Sequence, residues 1–302
     1  MSFVFPRDAL FIIAGPCVLE TDALNLRVAE HLARLSERVP GGIVYKASFD
    51  KANRSNAGAA RGPGLDEGLA ALERVRRATG LPVLTDVHLP EQCAAAADVV
   101  DVLQIPAFLC RQTDLLVAAG ATGKSVNIKK GQWMHPEGMR GAVQKVRGAQ
   151  PKGTTERGTK PASATDTGPS TDSRLSAPAN GGHPPGSQLA LTERGSFFGY
   201  GDLVVDMRGF SRMREACEVP VIFDGTHSVQ RPGMGEGGAS GGAREHIAAL
   251  TRAAVAAGAD GLFLETHPDP DHAPSDGPNM LPLEQLDAVV GRALDLWHVC
   301  RR

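Results

Sequence analysis

The chain has 302 residues, of which 42% are hydrophobic and 22% charged, with a formal net charge of −2. This is an ordinary globular composition, and the slight acidity argues against a generally basic nucleic-acid binder. Its apolar runs stay short of the roughly 20 residues of a membrane span, so no membrane partner is expected.

The chain repeats one pattern: an apolar strand, a loop and a helix. Residues 9–14 are the first apolar run. A helix follows over 22–38, with Leu24, Val28, Leu32 and Leu35 at helical spacing. Residues 42–45 predict the second strand. The next helix, 65–78, carries Leu65, Leu69, Leu72 and Val75 on one face. Strand 82–85 and helix 90–97 make a third unit, and strand 99–105 and helix 111–119 a fourth. Strand 125–129, with a helix from about Pro136, makes the fifth.

The sixth unit is interrupted. Between residues 151 and 186 the only large aliphatic side chain is Leu175, among Pro, Gly, Ser, Thr, Ala and charges. Such a segment buries too little apolar surface to offset the entropy of ordering it, so 151–186 reads as a disordered, low-complexity insertion before the sixth strand. Strands resume at 188–194, 219–224 and 261–265, with helices at 243–257 and 283–299. Eight alternating units with continuously apolar strands predict an α/β fold, a single (β/α)8 (TIM) barrel domain over 1–302. An open doubly wound sheet competes, but no GxGxxG follows the first strand.

Polar residues stand where the strands end. Cys17 follows the first, Lys46 and Ser48 end the second, and Asp86 and His88 the third. Gln104, Lys129, Arg194, His227 and Glu265 end the fourth to the eighth. In a (β/α)8 barrel these ends converge on one ring. The stretch 45–55, YKASFDKANRS, adds Lys51, Asn53, Arg54 and Ser55. Lys and Arg beside Ser and Asn suit phosphate oxygens. A solvated basic loop is the bland alternative. It is weakened because a strand buried on both faces rarely carries a lysine without a partner.

Cys17, His227 and Glu265 are soft, borderline and hard donors that could share one divalent ion. Asp276, on the loop after the eighth strand, could be a fourth ligand. His267, Asp269, Asp271 and His272 form a rival cluster, but Pro268 and Pro270 fix the backbone there and suggest a structural turn. The loop 230–242 holds Gly233, Gly235, Gly237, Gly238, Gly241 and Gly242, many permissive positions that could let it close as a lid. The first eight residues lack the features of a signal peptide, and five scattered cysteines (17, 93, 110, 217 and 300) fit a reducing compartment. A cytoplasmic protein is expected.

Several motifs occur in a telling order: YKASFDKANRS, Arg61-Gly62-Pro63-Gly64, Thr85-Asp86-Val87-His88, and Gln104-Ile105-Pro106-Ala107-Phe108-Leu109 with Arg111-Gln112-Thr113-Asp114. Asn127-Ile128-Lys129-Lys130, Phe198-Gly199-Tyr200, Phe223-Asp224-Gly225-Thr226-His227 and His267-Pro268-Asp269-Pro270 follow. From about residue 10 to the C-terminus, apart from the insertion, the chain resembles the 3-deoxy-D-manno-octulosonate 8-phosphate synthase family. Its members condense phosphoenolpyruvate with arabinose 5-phosphate on the way to lipopolysaccharide precursors.

The resemblance implies the same barrel, a divalent metal and no organic cofactor. Cys in Ala14-Gly15-Pro16-Cys17 matches the metal-requiring branch, where the other branch has Asn, and carries Cys17, His227, Glu265 and Asp276 over as ligands. The choice among Fe, Zn, Mn and Co stays open. Lys129 and Arg194 would hold the phosphoenolpyruvate phosphate, helped by the backbone around Ala107. Lys51 would sit near its carboxylate and between the substrates. Asn53 and Asp276 would read the sugar hydroxyls. Arg54 and Ser55, from a neighbouring subunit of a homotetramer, would hold the sugar phosphate. Lys46, Ser48, Asp86, Gln104, Arg111 and Gln230 complete the substrate-binding set, and Lys51, Lys129, His227 and Asp276 the catalytic one.

In that family C3 of the enol attacks the aldehyde, water adds at C2, and phosphate leaves. Gly131 and Trp133 depart from the Pro and Phe that relatives often carry. Three alternatives remain at this point. The first is the sibling synthase using erythrose 4-phosphate, which typically has Lys-Pro-Arg-Thr near positions 51–55. The second is a Schiff-base aldolase using Lys129 or Lys46, and the third a non-catalytic sugar-phosphate sensor.

Overall fold

The computed structural model describes residues 3–53, 58, 60–151, 187–197, 199–235 and 240–301. The short apolar runs become parallel strands β1 (Phe11–Gly15), β2 (Ile43–Lys46), β3 (Val83–Asp86), β4 (Val102–Ile105), β5 (Ser125–Lys129), β6 (Leu189–Glu193), β7 (Val221–Asp224) and β8 (Gly261–His267). Each pairs with the next, and β8 pairs back onto β1 with Phe11 opposite Gly261 and Gly15 opposite Glu265. The sheet is therefore a closed barrel. Helices α1 (Asp22–Ser36), α2 (Leu65–Thr79), α3 (Gln92–Val99), α4 (Thr113–Ala121), α5 (Arg140–Ala149), α6 (Gly209–Cys217), α7 (Ile247–Ala256) and α8 (Leu283–Cys300) lie between and after the strands.

The strands are buried along their whole length because both of their faces are covered, and they are apolar except toward their C-terminal ends and along β5. One phase of each strand, including Ile12, Ile43, Val83, Leu103, Val126, Leu191, Phe223 and Leu264, packs with helix residues such as Val28, Leu32, Leu72 and Leu286. The other phase fills the barrel. Phe11, Ile13, Val44, Leu84, Val102, Ala190, Ile222 and Phe263 form a separate interior cluster with Phe5. Phe5 is fully buried, and its ring centroid lies 5.4 Å from that of Phe3 and 5.6 Å from that of Phe11. Its N–H and C=O pair with Ser187 at 2.8 and 3.0 Å. The N-terminal segment thus closes the barrel end at which the strands begin.

That pairing also locates the insertion. Residues 152–186 lie outside the described residues, but the flanks are fixed: α5 runs into Pro151, and Ser187 meets Phe5 at the start of β6. An αβ connection enters a barrel at the N-terminal ends of its strands, opposite the ends that carry catalytic groups.

Differences from the sequence reading are local. The run before the fourth strand splits. Val99 ends α3, and β4 starts at Val102 because Asp101 turns its carboxylate to accept from Val83 N at 3.0 Å. The helix foreseen over 243–257 opens with a 3-10 turn, Arg244–His246. No helix was foreseen between the sixth and seventh strands. There α6 covers the barrel with only Phe210, Met213 and Cys217 as its apolar stripe. Among the described residues, no helix is long and apolar enough to cross a membrane.

Candidate active site

The interior phase of the strands changes character along its length. Two residues beyond each apolar interior side chain stands a polar one: Lys46 after Val44, Asp86 after Leu84, Gln104 after Val102, Thr192 after Ala190, Asp224 after Ile222, and Glu265 after Phe263. The period of two forces all of them to point inward at the strands' C-terminal ends. Asn127 joins them from β5. Gly15 is the exception on β1: a Cβ there would come within 2.2 Å of Lys46 O, so only glycine allows β2 this close.

The lower part of this ring is a polar belt that runs from β6 round to β2. Thr192 Oγ1 donates to Asn127 Oδ1 at 2.8 Å, Asn127 Nδ2 to Gln104 Oε1 at 2.8 Å, and Gln104 Nε2 to Asp86 Oδ1 at 2.8 Å. Ser48 Oγ donates to Asp86 Oδ2 at 2.6 Å, and Lys46 Nζ lies 3.6 Å from the same oxygen. Each side chain is satisfied by a neighbour on the next strand, as burial requires.

Above the belt lie two buried ion pairs. Lys46 Nζ donates to Glu265 Oε1 at 2.6 Å and to Cys17 O at 3.1 Å. Lys129 Nζ donates to Asp224 Oδ2 at 2.7 Å and sits 3.6 Å above the centroid of the Phe263 ring. Burial opposes the charge of Lys46, yet Glu265 and Asp86 reverse this and hold its pKa above the ordinary value. Burial would likewise raise Asp86, but Lys46, Lys51 and Lys129 hold it well below the usual carboxylate range. For Lys129 burial prevails, and its pKa is lowered despite Asp224.

Asp224 also orients His227. Its carboxylate receives His227 Nδ1 at 2.8 and 3.0 Å and His227 N at 2.8 Å. Asp224 thereby fixes the orientation of the imidazole, and Lys129 Nζ lies 3.3 Å from the same Nδ1. Nε2 points toward Glu265 Oε2, 3.6 Å away. That carboxylate oxygen is buried without a hydrogen-bond partner among the described residues.

The third cluster comes from loops. The segment after β8 returns to it: Thr266 pairs with Leu281, and Thr266 Oγ1 donates to Leu281 O at 3.0 Å. At its tip Asp276 adopts φ = 52°, a left-handed conformation that Asp tolerates better than most residues. Asp276 Oδ2 accepts from Cys17 Sγ at 3.0 Å, and Oδ1 from Gln230 Nε2 at 3.1 Å. Gln230 Oε1 accepts from Arg194, whose Nη1 is buried without a hydrogen-bond partner among the described residues.

Donor atoms of Cys17, Glu265 and Asp276 lie within 4.8 Å of one another. Burial pushes the Cys17 thiol up, Glu265 and Asp276 add to this, and Lys51 and Lys46 oppose it. A thiol held protonated beside two carboxylates, next to a buried carboxylate oxygen without a donor, is the chemistry a divalent cation would resolve. The residues present fit such an ion, with His227 Nε2 facing the same oxygen.

Lys51 is half-buried on the loop after β2, close enough for Cys17, Glu265 and Asp276 to raise its pKa against the larger effect of burial. Ala107 is buried in the turn after β4. Asn53 is exposed on the Lys51 loop, and Arg54 and Ser55 lie outside the described residues. Arg111 does not enter the ring. It is exposed and lines a separate cavity of about 590 Å³ with Trp133, Met134, His135 and Lys145. Trp133 stacks on Phe108 at 5.9 Å. His88 meets the Phe49 ring in a T-shaped contact at 6.0 Å, and Asp86 opposes the lowering of its pKa by burial.

The residues of the rival cluster are engaged in separate pairs: His267 with Glu20 at 3.0 Å, His272 with Asp269 at 2.8 Å, and Asp271 with Arg244 at 2.6 Å. In the glycine-rich loop, Gln230–Arg231 pairs antiparallel with Gly241–Gly242, and Gly237 and Gly238 lie outside the described residues. Sequence reasoning missed Asp224, Asn127 and Thr192 as site residues. Their signal was the period of two, which places each in the phase of its strand's interior side chains.

A closed (β/α)8 barrel whose strand ends carry buried lysines and an arginine beside carboxylates and a thiol is built as an enzyme for anionic substrates. The chain belongs to the DAHP synthetase I family, whose model matches residues 6–294. It is similar to proteins named 2-dehydro-3-deoxyphosphooctonate aldolase. With that of Rhodopseudomonas palustris it shares 50% identity over 281 residues, 93% of this chain and 85% of the relative. With that of Nitrobacter winogradskyi the identity is 49% over 294 residues, 97% and 90% of the two chains. With that of Nitratidesulfovibrio vulgaris it is 48% over 293 residues, 96% and 94%.

Proposed function

We propose that this chain condenses phosphoenolpyruvate with D-arabinose 5-phosphate and water, giving 3-deoxy-D-manno-octulosonate 8-phosphate and phosphate for lipopolysaccharide precursor synthesis. The observation that carries the reading is the juxtaposition, on one ring, of the Arg194 and Lys129 cations with the Cys17, Glu265 and Asp276 donor group. Relatives at about half identity over nearly the whole chain bear the matching name, so the erythrose 4-phosphate alternative is not favoured.

Arg194 and Lys129 hold the phosphate of phosphoenolpyruvate, the Arg through its free Nη1 edge. Lys51 sits between that site and the donor group and neutralises the carboxylate. Lys46 and Asp86 brace the floor, so that no water is needed to satisfy it. As the enol attacks, positive charge develops at C2 and negative charge at the aldehyde oxygen. The fixed carboxylates and ammonium groups meet both without reorganising. Cys17, His227, Glu265 and Asp276 would hold a divalent ion, which supplies positive charge to polarise an aldehyde or orient a water. Lys46 is ion-paired with Glu265 at 2.6 Å and its pKa is held up, which disfavours it as a Schiff-base amine.

The same reading includes a homotetramer in which Arg54 and Ser55 reach a neighbouring site. The exposed Phe108–Trp133 stack supports a subunit contact. It also includes a cytoplasmic location, supported by the five unpaired cysteines. The test is phosphate release from phosphoenolpyruvate with each sugar phosphate, with and without a chelator. Turnover with arabinose 5-phosphate, lost on chelation and restored by a divalent ion, is expected. Equal turnover with erythrose 4-phosphate would refute the substrate assignment, and full activity after rigorous metal removal would refute the ion.

A further inference from the structure

Gln230 spans the gap between the two halves of this site. Its Oε1 accepts from Arg194 Nη2, and its Nε2 donates to Asp276 Oδ1 at 3.1 Å. Asp276 Oδ2 in turn accepts from Cys17 Sγ at 3.0 Å. An unbroken chain of hydrogen bonds thus runs from the guanidinium to the thiol. Its middle link is chemically exacting. A guanidinium offers only donors and an ionised carboxylate only acceptors, so a side chain between them must accept on one side and donate on the other. An amide does this in one orientation only. Glutamate would keep the bond to Arg194 but set a second carboxylate against Asp276, and methionine, of similar length, would keep neither bond.

Arg194 Nη1 is buried and without a hydrogen-bond partner among the described residues. An anion bound there fixes the guanidinium, and through Gln230 it fixes the Asp276 carboxylate in the place where it meets Cys17 and Glu265. We propose that Gln230 is a positioning residue that couples occupancy of the anion site at Arg194 to ion retention at Cys17, Glu265 and Asp276. The inference rests on the function proposed above. By thermodynamic linkage the coupling is reciprocal: the ion tightens the anion by the factor by which the anion tightens the ion.

The test uses the full-length chain, stripped of metal, with Mn²⁺ and inorganic phosphate as probes. Mn²⁺ affinity is measured with and without saturating phosphate, and phosphate affinity with and without Mn²⁺. The wild type is expected to show mutual tightening of about fivefold or more, within the usual range for coupled sites. In Gln230→Met and Gln230→Glu the factor is expected to fall to about one, while Gln230→Met still binds each probe alone. A residue that merely supports the fold would lower both affinities and leave their ratio unchanged. Coupling preserved in both variants overturns the inference, as does a wild type that binds both probes independently. A wild type that binds neither probe overturns the functional reading, and the inference with it.

Discussion

Asp224→Asn tests the site at a residue whose role emerges only in the folded barrel. Asp224 is fully buried and receives donors from Lys129 Nζ at 2.7 Å, His227 Nδ1 at 2.8 Å and His227 N at 2.8 Å. Asparagine has the same shape but only one accepting oxygen. Its amide nitrogen must then face either the ammonium, in the place of Oδ2, or the His227 backbone N–H, in the place of Oδ1, donor against donor. One charge-assisted hydrogen bond is lost, worth about 1.5–3 kcal/mol. In rate terms that is roughly ten- to a hundredfold in kcat/KM. His227 also loses the partner that aims its Nε2 toward Glu265, and loss of such an orienting partner weakens ion binding by about 10–100-fold. The assay is steady-state phosphate release, together with ion affinity by chelator competition. A variant within twofold of wild type in both would refute the claim that Asp224 orients Lys129 and His227.

Three further outcomes follow from the geometry. Arg194→Met removes a buried guanidinium with one unpartnered nitrogen, so KM for phosphoenolpyruvate should rise by about tenfold or more, about 1.5–3 kcal/mol, while the urea midpoint of the ligand-free protein does not fall. A lower midpoint with unchanged KM would contradict the anion site. Phe5→Ala empties the closed end of the barrel interior and should cost about 3–5 kcal/mol of stability by denaturant unfolding, with KM unchanged below the transition. Deleting residues 152–186 with a short linker should leave kcat and KM within about twofold, because the segment joins at the barrel end opposite the site. Loss of turnover in the folded deletion variant would count against that placement.

Much of the architecture was legible locally. Continuous apolar runs separated by helical stretches marked all eight strands, since a strand buried between helices and barrel interior has no polar face to alternate. Polar strand ends marked the ring for the same reason: Lys46, Gln104 and Glu265 interrupt runs where nothing but function or pairing would tolerate them. Helix α6 was missed because a nine-residue helix with four apolar positions, Phe210, Met213, Ala216 and Cys217, among Gly, Ser and charges carries little periodic signal. Asp224, Asn127 and Thr192 were missed because their role depends on which phase of a strand faces inward, and a strand covered on both sides does not reveal its phase.

The identity of the contacts was decided by closure. Cys17 and Asp276 are 259 positions apart, and Lys46 and Glu265 are 219 apart. The sequence by itself determined that each is a polar residue near a strand end. Only the pairing of β8 with β1, Gly15 beside Glu265, determined that they touch. That pairing is a backbone hydrogen-bond register between the two ends of the chain, and it is set by the geometry of eight tilted strands meeting in a circle, which no local run of residues encodes.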